Sequence, residues 1–573
     1  MFDFSSEWLP VPIGVLDMHG VGWYYPSGAA NAVGLDVLLC AIVAASAMCF
    51  VGHLALLIAR RRRALIAHGL ARGFLTHAGS AAAAVENPAA ERPPASPLAS
   101  AMEASGYKFA HGERRSGRHE LPPTSSEIVL AKDGKGAGWD ASCAMVHEGS
   151  PVFTEPLETM ALVEFFTRPL FSQAFAVIYG LYRLSVVALD CSKCVLAVRL
   201  AAHAFAQPCE GPAARVSSAT MQFLCDVGHG EEPYVTDTAI VLASLVAAYA
   251  IGKAQRVSAI ADTAVVTGMR VAKAAILAGM LCLLVRAAWG ADAIDVDSRR
   301  TALRAAAAQR HSSALLWLLA FQSVTLTFET HGLLNSVFNA LPGGQLGRDL
   351  ARSGKEKHKS AKLAPEQYTF GATRKLFHRA VAMTVGQAVA VGVVAFLTMY
   401  SHPHHDGDLP LPSFVAKEVV VGFANVKIFL PSTTTRVLTA LLALSPMVLV
   451  LPGLSFSSLR AAALLRYCAT GAPRSWDPST IRFSSVYIGA VAAVAAATHS
   501  SAVWGQVLYV TGSAFTFVYP FIVWRFSRLA VRRLGIPRRL DAALHLTPTV
   551  SRAATAIGAA WFTMITAYQL GLI

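Results

Sequence analysis

Long stretches of apolar residues recur along almost the whole chain, and they constrain its fold more than any other feature. The clearest runs from Leu35 to Ala59 and carries one carboxylate, Asp36, near its start. A helix of about 20 such residues crosses the hydrocarbon core of a bilayer, which is about 30 Å thick. Only 15% of the 573 residues are charged, against about 25% in soluble domains. The sequence therefore predicts a polytopic membrane protein and excludes a soluble multidomain enzyme.

Eleven apolar segments are predicted to form transmembrane helices, so the expected fold class is an all-α membrane protein. The first, about Trp8–Gly28, is interrupted by glycines and prolines and is predicted to be a discontinuous helix. An interfacial N-terminal segment is the alternative for this stretch. The other ten are predicted at Leu35–Ala59, 170–200, 237–252, 260–287, 312–341, 380–400, 432–456, 483–498, 503–526 and 552–572.

Polar segments divide the chain into five parts. Residues after Arg60 become rich in Ala, Pro and Ser and then in polar side chains, which is typical of a largely disordered loop. A short amphipathic helix is predicted at its end, near Glu155–Phe166. The parts are helices one and two (1–59), a long cytosolic loop (60–163), helices three to six (164–341), a basic cytosolic loop (342–379) and helices seven to eleven (380–573).

The distribution of basic residues predicts the orientation in the membrane. Loop 342–379 carries nine Lys and Arg residues against three acids, whereas His402–Asp408 carries no Lys or Arg. Basic loops face the cytoplasm, so we expect the N-terminus in the cytosol and the C-terminus outside. The net charge of +14 is explained in this way and predicts the lipid bilayer, not nucleic acid, as a partner. The sequence does not distinguish the plasma membrane from the membrane of an acidic organelle.

The densest polar run inside an apolar segment lies in the sixth predicted span. It extends from Thr325 to Gly332 and contains three threonines, a carboxylate and an imidazole. Polar groups at this depth are costly in hydrocarbon and usually face a partner or a water-filled path. Gly332 lets the backbone leave helical geometry, so the run predicts an unwound helix that lines a site. A helix that ends at Glu329, followed by a loop, is the alternative.

Four segments carry a resemblance to a known family. The run Thr327–Gly332 followed by Phe338-Asn339 resembles the sixth helix of the amino acid/auxin permease family. Gly512–Pro520 is similar to its tenth helix, Ser445-Pro446 with Pro452 to the end of its eighth, and Gly20–Pro26 loosely to the break in its first. The resemblance implies a LeuT-type fold of two inverted five-helix repeats plus one helix. It also implies secondary active transport of amino acids by alternating access.

The same resemblance implies where the substrate binds. The breaks in the first and sixth helices would face each other, with free backbone groups that can hold a carboxylate or an amine. Hydroxyls of Thr433 and Thr434 could complete a sodium site, although the run Ser432–Thr435 also suits helix capping. The implied substrate-binding residues are Met18, Gly20, Gly22, Phe328, Glu329, Thr330, His331 and Gly332.

Titratable residues in the sixth predicted span favour one coupling ion. Glu329 and His331 can each bind and release a proton, and histidine does so near neutral pH. We therefore expect coupling to protons rather than to sodium, for which Thr433 and Thr434 are the sequence support. No other cofactor and no metal are expected.

Three further functions remain open. A carrier of polyamines or other cationic substrates is suggested by the carboxylate of Glu329. A receptor that binds amino acids without transporting them would use loop 60–163 as its effector arm. A structural subunit of a membrane complex would need the polar run only for packing. None of these performs covalent chemistry, so no enzyme is predicted, and the sequence leaves the oligomeric state open.

A second group of charges lies in the third predicted span. Arg183, Asp190 and Lys193 follow one another at helical spacings of seven and three. They can pair with each other or face a vestibule, and a structural role is the favoured interpretation. Cys191 and Cys194 are expected to pack in the helix rather than bind a metal, because no second cysteine pair accompanies them.

Overall fold

The computed structural model describes about 43% of the chain. The longer stretches are 35–71, 75–77, 128–130, 159–206, 233–257, 259–289, 501–536 and 546–572. Shorter described stretches are 317–318, 321–322, 324–326, 382, 384–394, 437, 440–441, 443–445, 447–455 and 457.

The described residues are almost entirely helical. The helices are α1 Leu35–Ala71, α2 Thr159–Phe166, α3 Pro169–Ala206, α4 Pro233–Val257, α5 Ala259–Trp289, α6 Ser501–Ser513, α7 Tyr519–Arg533 and α8 Pro548–Gln569, with a π-helix at Ala514–Val518 between α6 and α7. Two three-residue strands, β1 Leu75–His77 and β2 Ile128–Leu130, pair antiparallel.

Four of the helical segments are long and apolar enough to cross a membrane. They are Asp36–Ala67, Leu170–Arg199, Val235–Gly252 and Val503–Arg533. Large apolar side chains such as Val43, Val177 and Val246 are exposed on their outer faces, as expected where lipid covers a helix. These features confirm the coarse prediction of an integral, helical membrane protein. The number of eleven spans and the inverted repeat stay predictions.

Helix α1 continues past the predicted end of its span. It reaches Ala71, twelve residues beyond Ala59, and includes all four arginines from Arg60 to Arg63. Arginine, leucine and alanine are strong helix formers, and contacts with α7 hold this end in place. Arg62 Nη1 donates hydrogen bonds to the carbonyl of Trp524 at 3.2 Å and to the Ser527 hydroxyl at 3.1 Å. The predicted loop therefore begins later than the charge pattern suggested.

The largest apolar core of the described residues joins helices that are far apart in the sequence. It combines the second half of α1, α2, the first half of α3 and α7, and it includes the fully buried Phe515 of the π-helix. Leu75 of β1 is also buried in this core, with 1% of its surface exposed. The predicted short helix before the third span is present as α2. A second core packs the first half of α1 against Val324 and Ala388.

The strand pair gives a sharper prediction for the long loop. Its last pair is His77 with Ile128, so deletion of residues 79–120 leaves eight residues, 78 and 121–127, to join the strands. Eight residues are more than enough to connect the two paired strands. We therefore expect uptake by the deletion variant to stay within about twofold of wild type.

Leu75→Ala provides the contrast for the deletion. This substitution is expected to destabilise the fold by about 2–5 kcal/mol, because it removes a buried side chain from the main core. Thermal unfolding and uptake of both variants in proteoliposomes check the pair. Complete loss of uptake after the deletion, with normal expression and stability, would favour the receptor or structural-subunit hypotheses.

Candidate functional site: buried charges beside the π-helix

The residues that the sequence assigned to the site lie outside the described part of the chain. They are Met18, Gly20, Gly22, Phe328, Glu329, Thr330, His331, Gly332, Thr433 and Thr434. The described part does include Thr325 and Leu326, at the start of the polar run. Thr325 is helical and fully buried, and its hydroxyl donates to the carbonyl of Phe321 at 2.8 Å. The assignments themselves stay predictions.

Buried charges lie well inside one of the membrane-spanning helices. Arg183 and Asp190 of α3 are 4% and 3% exposed. Arg183 lies 13 residues after the start of the span at Leu170 and 16 residues before its end at Arg199. At 1.5 Å per residue it is about 20 Å from one end and about 24 Å from the other. The guanidinium is therefore held near the middle of the span.

Two tyrosines of the same helix hold the Arg183 guanidinium. Its central carbon lies 5.0 Å from the ring centroid of Tyr179 and 5.0 Å from that of Tyr182. Tyr179 is four residues before Arg183, which brings the two side chains to the same helix face. Cation–π contacts in desolvated surroundings contribute about 2 kcal/mol or more. The sequence therefore places the Arg183 cation and the aromatic ring of Tyr179 on one face of α3.

Asp190 and Lys193 form a second charged pair on α3. The three-residue spacing places them on adjacent turns of one face, where they attract each other electrostatically. The Oδ1 atom of Asp190 is buried and has no hydrogen-bond partner within the described structure. Cys191 follows Asp190 and Cys194 follows Lys193, and both are free, buried thiols. The cysteines pack in the helix, as the sequence analysis expected.

An aromatic stack connects α3 to the π-helix. The ring of Phe515 lies 5.0 Å from the ring of Tyr179 and 5.1 Å from that of Tyr182, with interplanar angles of 12° and 10°. Tyr519 stacks on Phe515 at 5.1 Å and on Phe175 at 4.7 Å. A change in the backbone of the π-helix would thus move the rings on which Arg183 rests.

A proline explains why the helix widens at this point. Pro520 has no N–H to bond the carbonyl four residues earlier, and its ring would clash with that carbonyl in a regular α-helix. The backbone instead forms a π-turn, in which the N–H of Tyr519 bonds to the carbonyl of Ala514. The Thr516 hydroxyl in this turn is buried and has no partner among the described residues. Such turns occur frequently at functional sites.

Gln322 joins the chain just before the predicted site to two other helices. Its Nε2 donates to the carbonyl of Tyr509 on α6 at 3.2 Å, and its Oε1 accepts from Trp561 Nε1 on α8 at 2.8 Å. Leu326 follows one turn later and packs in the core that contains Phe515. The described start of the polar run is therefore fixed beside α6 and the π-helix.

Two other charged residues of the described helices, Arg199 and Lys273, have polar partners on a neighbouring helix. Arg199 Nη2 lies 2.7 Å from Asp237 Oδ1, which joins the ends of α3 and α4. Lys273 of α5 donates to Gln387 Oε1 at 3.1 Å. These two contacts are structural ties between helices. Arg183 differs from them in its position, because the two tyrosines that it contacts stack on Phe515 of the π-helix.

No family model, curated protein or solved structure matches this chain. The resemblance to amino acid/auxin permeases consequently rests on the motifs quoted above. What the site can do has to be inferred from its own chemistry.

Sequence reasoning missed the link between α3 and the π-helix, although the signals were present. Phe175, Tyr179 and Tyr182 recur at spacings of four and three, which places three aromatic rings on one helix face. Pro520 within an apolar stretch marks the helix irregularity. Together these two patterns could have indicated that the third and tenth predicted spans meet through aromatic rings.

Proposed function

We propose that this protein is a secondary active transporter of amino acids that works by alternating access. The observation that carries the proposal is the position of Arg183, buried near the middle of a membrane-spanning helix and seated on Tyr179 and Tyr182. An ionisable residue at this depth is costly, and such residues typically mark substrate pathways, ion pathways or proton relays.

The π-helix supports the same proposal. Alternating access requires an element with two arrangements of similar free energy, and a break in regular helical hydrogen bonding supplies a place for one. The aromatic stack joins this break to the seat of Arg183. In the proposed transporter, rearrangement at Ala514–Val518 shifts Tyr179 and Tyr182 and so alters the surroundings of the buried cation.

The proposed binding residues come from the breaks of the first and sixth predicted helices. Met18, Gly20 and Gly22 would contribute from the first, and Phe328 to Gly332 from the sixth. Leu326, two residues before Phe328, packs in the core that includes Phe515 and Tyr182, which is compatible with a substrate site close to the π-helix. Transport involves no covalent step, so the protein is proposed not to be an enzyme.

A carrier of polyamines is the second candidate. Asp190 has a buried carboxylate, and Glu329 would place a second carboxylate in the predicted site. Both would attract a cationic substrate. Purified protein in proteoliposomes, offered labelled amino acids and labelled polyamines in parallel, separates the two. Uptake of amino acids supports the first proposal, and uptake restricted to polyamines supports the second. Binding without flux would favour a receptor, and neither binding nor flux a structural subunit.

Proton coupling is expected to appear as a dependence of uptake on the pH gradient. Amino acid uptake should rise several-fold with an inward proton gradient and should not change when choline replaces sodium. Glu329→Gln is expected to flatten this pH dependence, because an amide cannot exchange a proton. Glu329→Asp retains a titratable group and is the matched control. Collapse of uptake in choline, combined with indifference to pH, would instead indicate sodium coupling through Thr433 and Thr434.

A further inference from the structure

Arginines accumulate where α1, α2, α3 and α7 come together. We call this group the arginine layer; its members are Arg60, Arg61, Arg62, Arg63, Arg168, Arg525, Arg528, Arg532 and Arg533. Within residues 60–71, 159–168 and 519–533, which the structure describes, the only carboxylate is Glu164. The layer thus has a large excess of positive charge.

Part of the arginine layer is used to hold the helices together. Arg62 bonds to α7 and lies 5.6 Å from the Trp524 ring centroid, and Arg528 lies 5.4 Å from the same ring. Arg63 lies 5.5 Å from the ring of Phe165 on α2. These contacts give Arg62, Arg63 and Arg528 a structural role. They do not explain why further arginines lie on the outer surface of the layer.

The outer surface of the layer combines arginines with large apolar side chains. Arg525, Leu529 and Arg532 are exposed and follow at spacings of four and three, so they share one face of α7. Phe526 beside them is also exposed, and its ring lies 6.4 Å from that of Phe171 on α3. Arg168, exposed as well, precedes Phe171 by one turn. The contact between Phe526 and Phe171 therefore joins the exposed face of α7 to Arg168 in one continuous patch.

The length of α1 places this patch at the boundary of the bilayer. From Leu35 to Arg60 the helix rises over 25 residues, about 38 Å at 1.5 Å per residue. The hydrocarbon core is about 30 Å thick, so the arginine layer coincides with the headgroup region. Exposed Phe and Leu next to exposed Arg is the composition expected where side chains reach from acyl chains to phosphates.

We propose that the exposed face of the arginine layer binds the headgroups of anionic phospholipids. Guanidinium groups make bidentate hydrogen bonds to phosphate oxygens, while Phe526 and Leu529 contact the acyl chains of the same lipids. A basic residue near an anionic membrane surface raises lipid affinity by about fivefold. Three exposed arginines, Arg168, Arg525 and Arg532, are therefore expected to give a preference of at least tenfold for anionic over neutral lipid.

The experiment uses the full chain in nanodiscs that contain phosphatidylcholine and a minor fraction of phosphatidylserine. Phosphatidylserine retained after extraction into detergent is counted by native mass spectrometry. Wild type is expected to retain phosphatidylserine in preference to phosphatidylcholine. Arg168→Gln with Arg525→Gln and Arg532→Gln is expected to lose that preference by about tenfold or more. The corresponding triple Lys variant should retain most of it, because it keeps the charge.

A second control removes an arginine from the opposite end of α3. Arg199→Gln combined with Asp237→Asn eliminates an ion pair without leaving a lone charge, and it should leave lipid retention unchanged. Raising the salt concentration to about 1 M, where the screening length falls to about 3 Å, should weaken retention by wild type. This salt test needs no variant and remains decisive if the triple Gln protein does not fold.

Two outcomes would overturn the proposal. One is the absence of arginine-dependent retention, shown either by equal retention in wild type and the triple Gln variant or by no preference for phosphatidylserine in wild type at any salt concentration. The other is displacement of bound phosphatidylserine by millimolar inorganic phosphate, which would indicate a site for small soluble anions. Neither outcome depends on transport, so the result is independent of the proposed function.

Discussion

Replacing Arg183 by glutamine is expected to lower amino acid uptake by about tenfold or more, with little change in the amount of folded protein. The guanidinium is buried near the middle of the α3 span, and it is seated on two tyrosines that stack on the π-helix. Glutamine retains hydrogen-bonding capacity but removes the charge and the cation–π contacts. If the charge belongs to a substrate or ion pathway, transport loses more than stability does.

Two variants control this experiment. Arg183→Lys retains the positive charge and a cation–π partner, and it should recover part of the uptake. Arg199→Gln with Asp237→Asn removes an arginine of the same helix together with its ion-pair partner on α4, and it should leave uptake near the wild-type value. Initial rates in proteoliposomes, normalised to folded protein from size-exclusion profiles, give the comparison. Normal uptake by Arg183→Gln would show that the Arg183 guanidinium does not belong to the substrate or ion pathway.

Helix positions were predictable because apolar length dominates in a membrane protein. The third predicted span, 170–200, lies within α3, and the last, 552–572, largely coincides with α8. A bilayer leaves few alternatives to a helix of about 20 residues, since unsatisfied backbone groups cannot be exposed to hydrocarbon. Apolar composition alone therefore located these elements.

Features that depend on contacts between distant residues were not predictable in the same way. The end of α1 was placed at the first arginine, but Arg62 continues the helix because it bonds to the backbone of Trp524, 462 residues away. Leu75, in the segment expected to be disordered, is buried in the main core. A charge pattern marks the membrane boundary, and it does not mark where a helix stops.

The tenth predicted span shows what apolar composition predicts and what it does not. Phe515 lies in the tenth predicted span, and it is fully buried between Tyr179, Tyr182 and Tyr519. The π-turn around it was not expected. Truncation of a buried phenylalanine costs about 3–5 kcal/mol, so Phe515→Ala is expected to disturb folding.

Gly558→Ala is expected to destabilise the fold by about 1–3 kcal/mol or more, the range for overpacking in a closely packed interior. A Cβ atom at this position of α8 would lie 2.5 Å from the carbonyl oxygen of Phe517 and 3.0 Å from its Cβ. The obstructing oxygen belongs to the backbone of the π-helix, which cannot swing aside as a flexible side chain can. Helix α8 would have to withdraw from the π-helix.

Gly505→Ala is the matched control for this prediction. Gly505 lies in α6, two helices earlier, and an added Cβ there meets no described atom within 4 Å. Alanine is favoured over glycine in a helix interior by about 0.5–1 kcal/mol, so this variant should unfold at the same temperature as wild type or higher. Thermal unfolding in detergent, followed by tryptophan fluorescence, measures both variants under one condition.

The consequence for transport follows from the neighbours of Phe517. Its ring stacks on Phe321 at 6.2 Å and lies 6.3 Å from Trp561 of α8, so withdrawal of α8 also loosens the segment that leads to the predicted site. Gly558→Ala should therefore reduce uptake more than Gly505→Ala does, even at temperatures where both proteins stay folded. Equal melting temperatures for the two variants would mean that the close contact between α8 and the π-helix is absent from the folded protein in detergent.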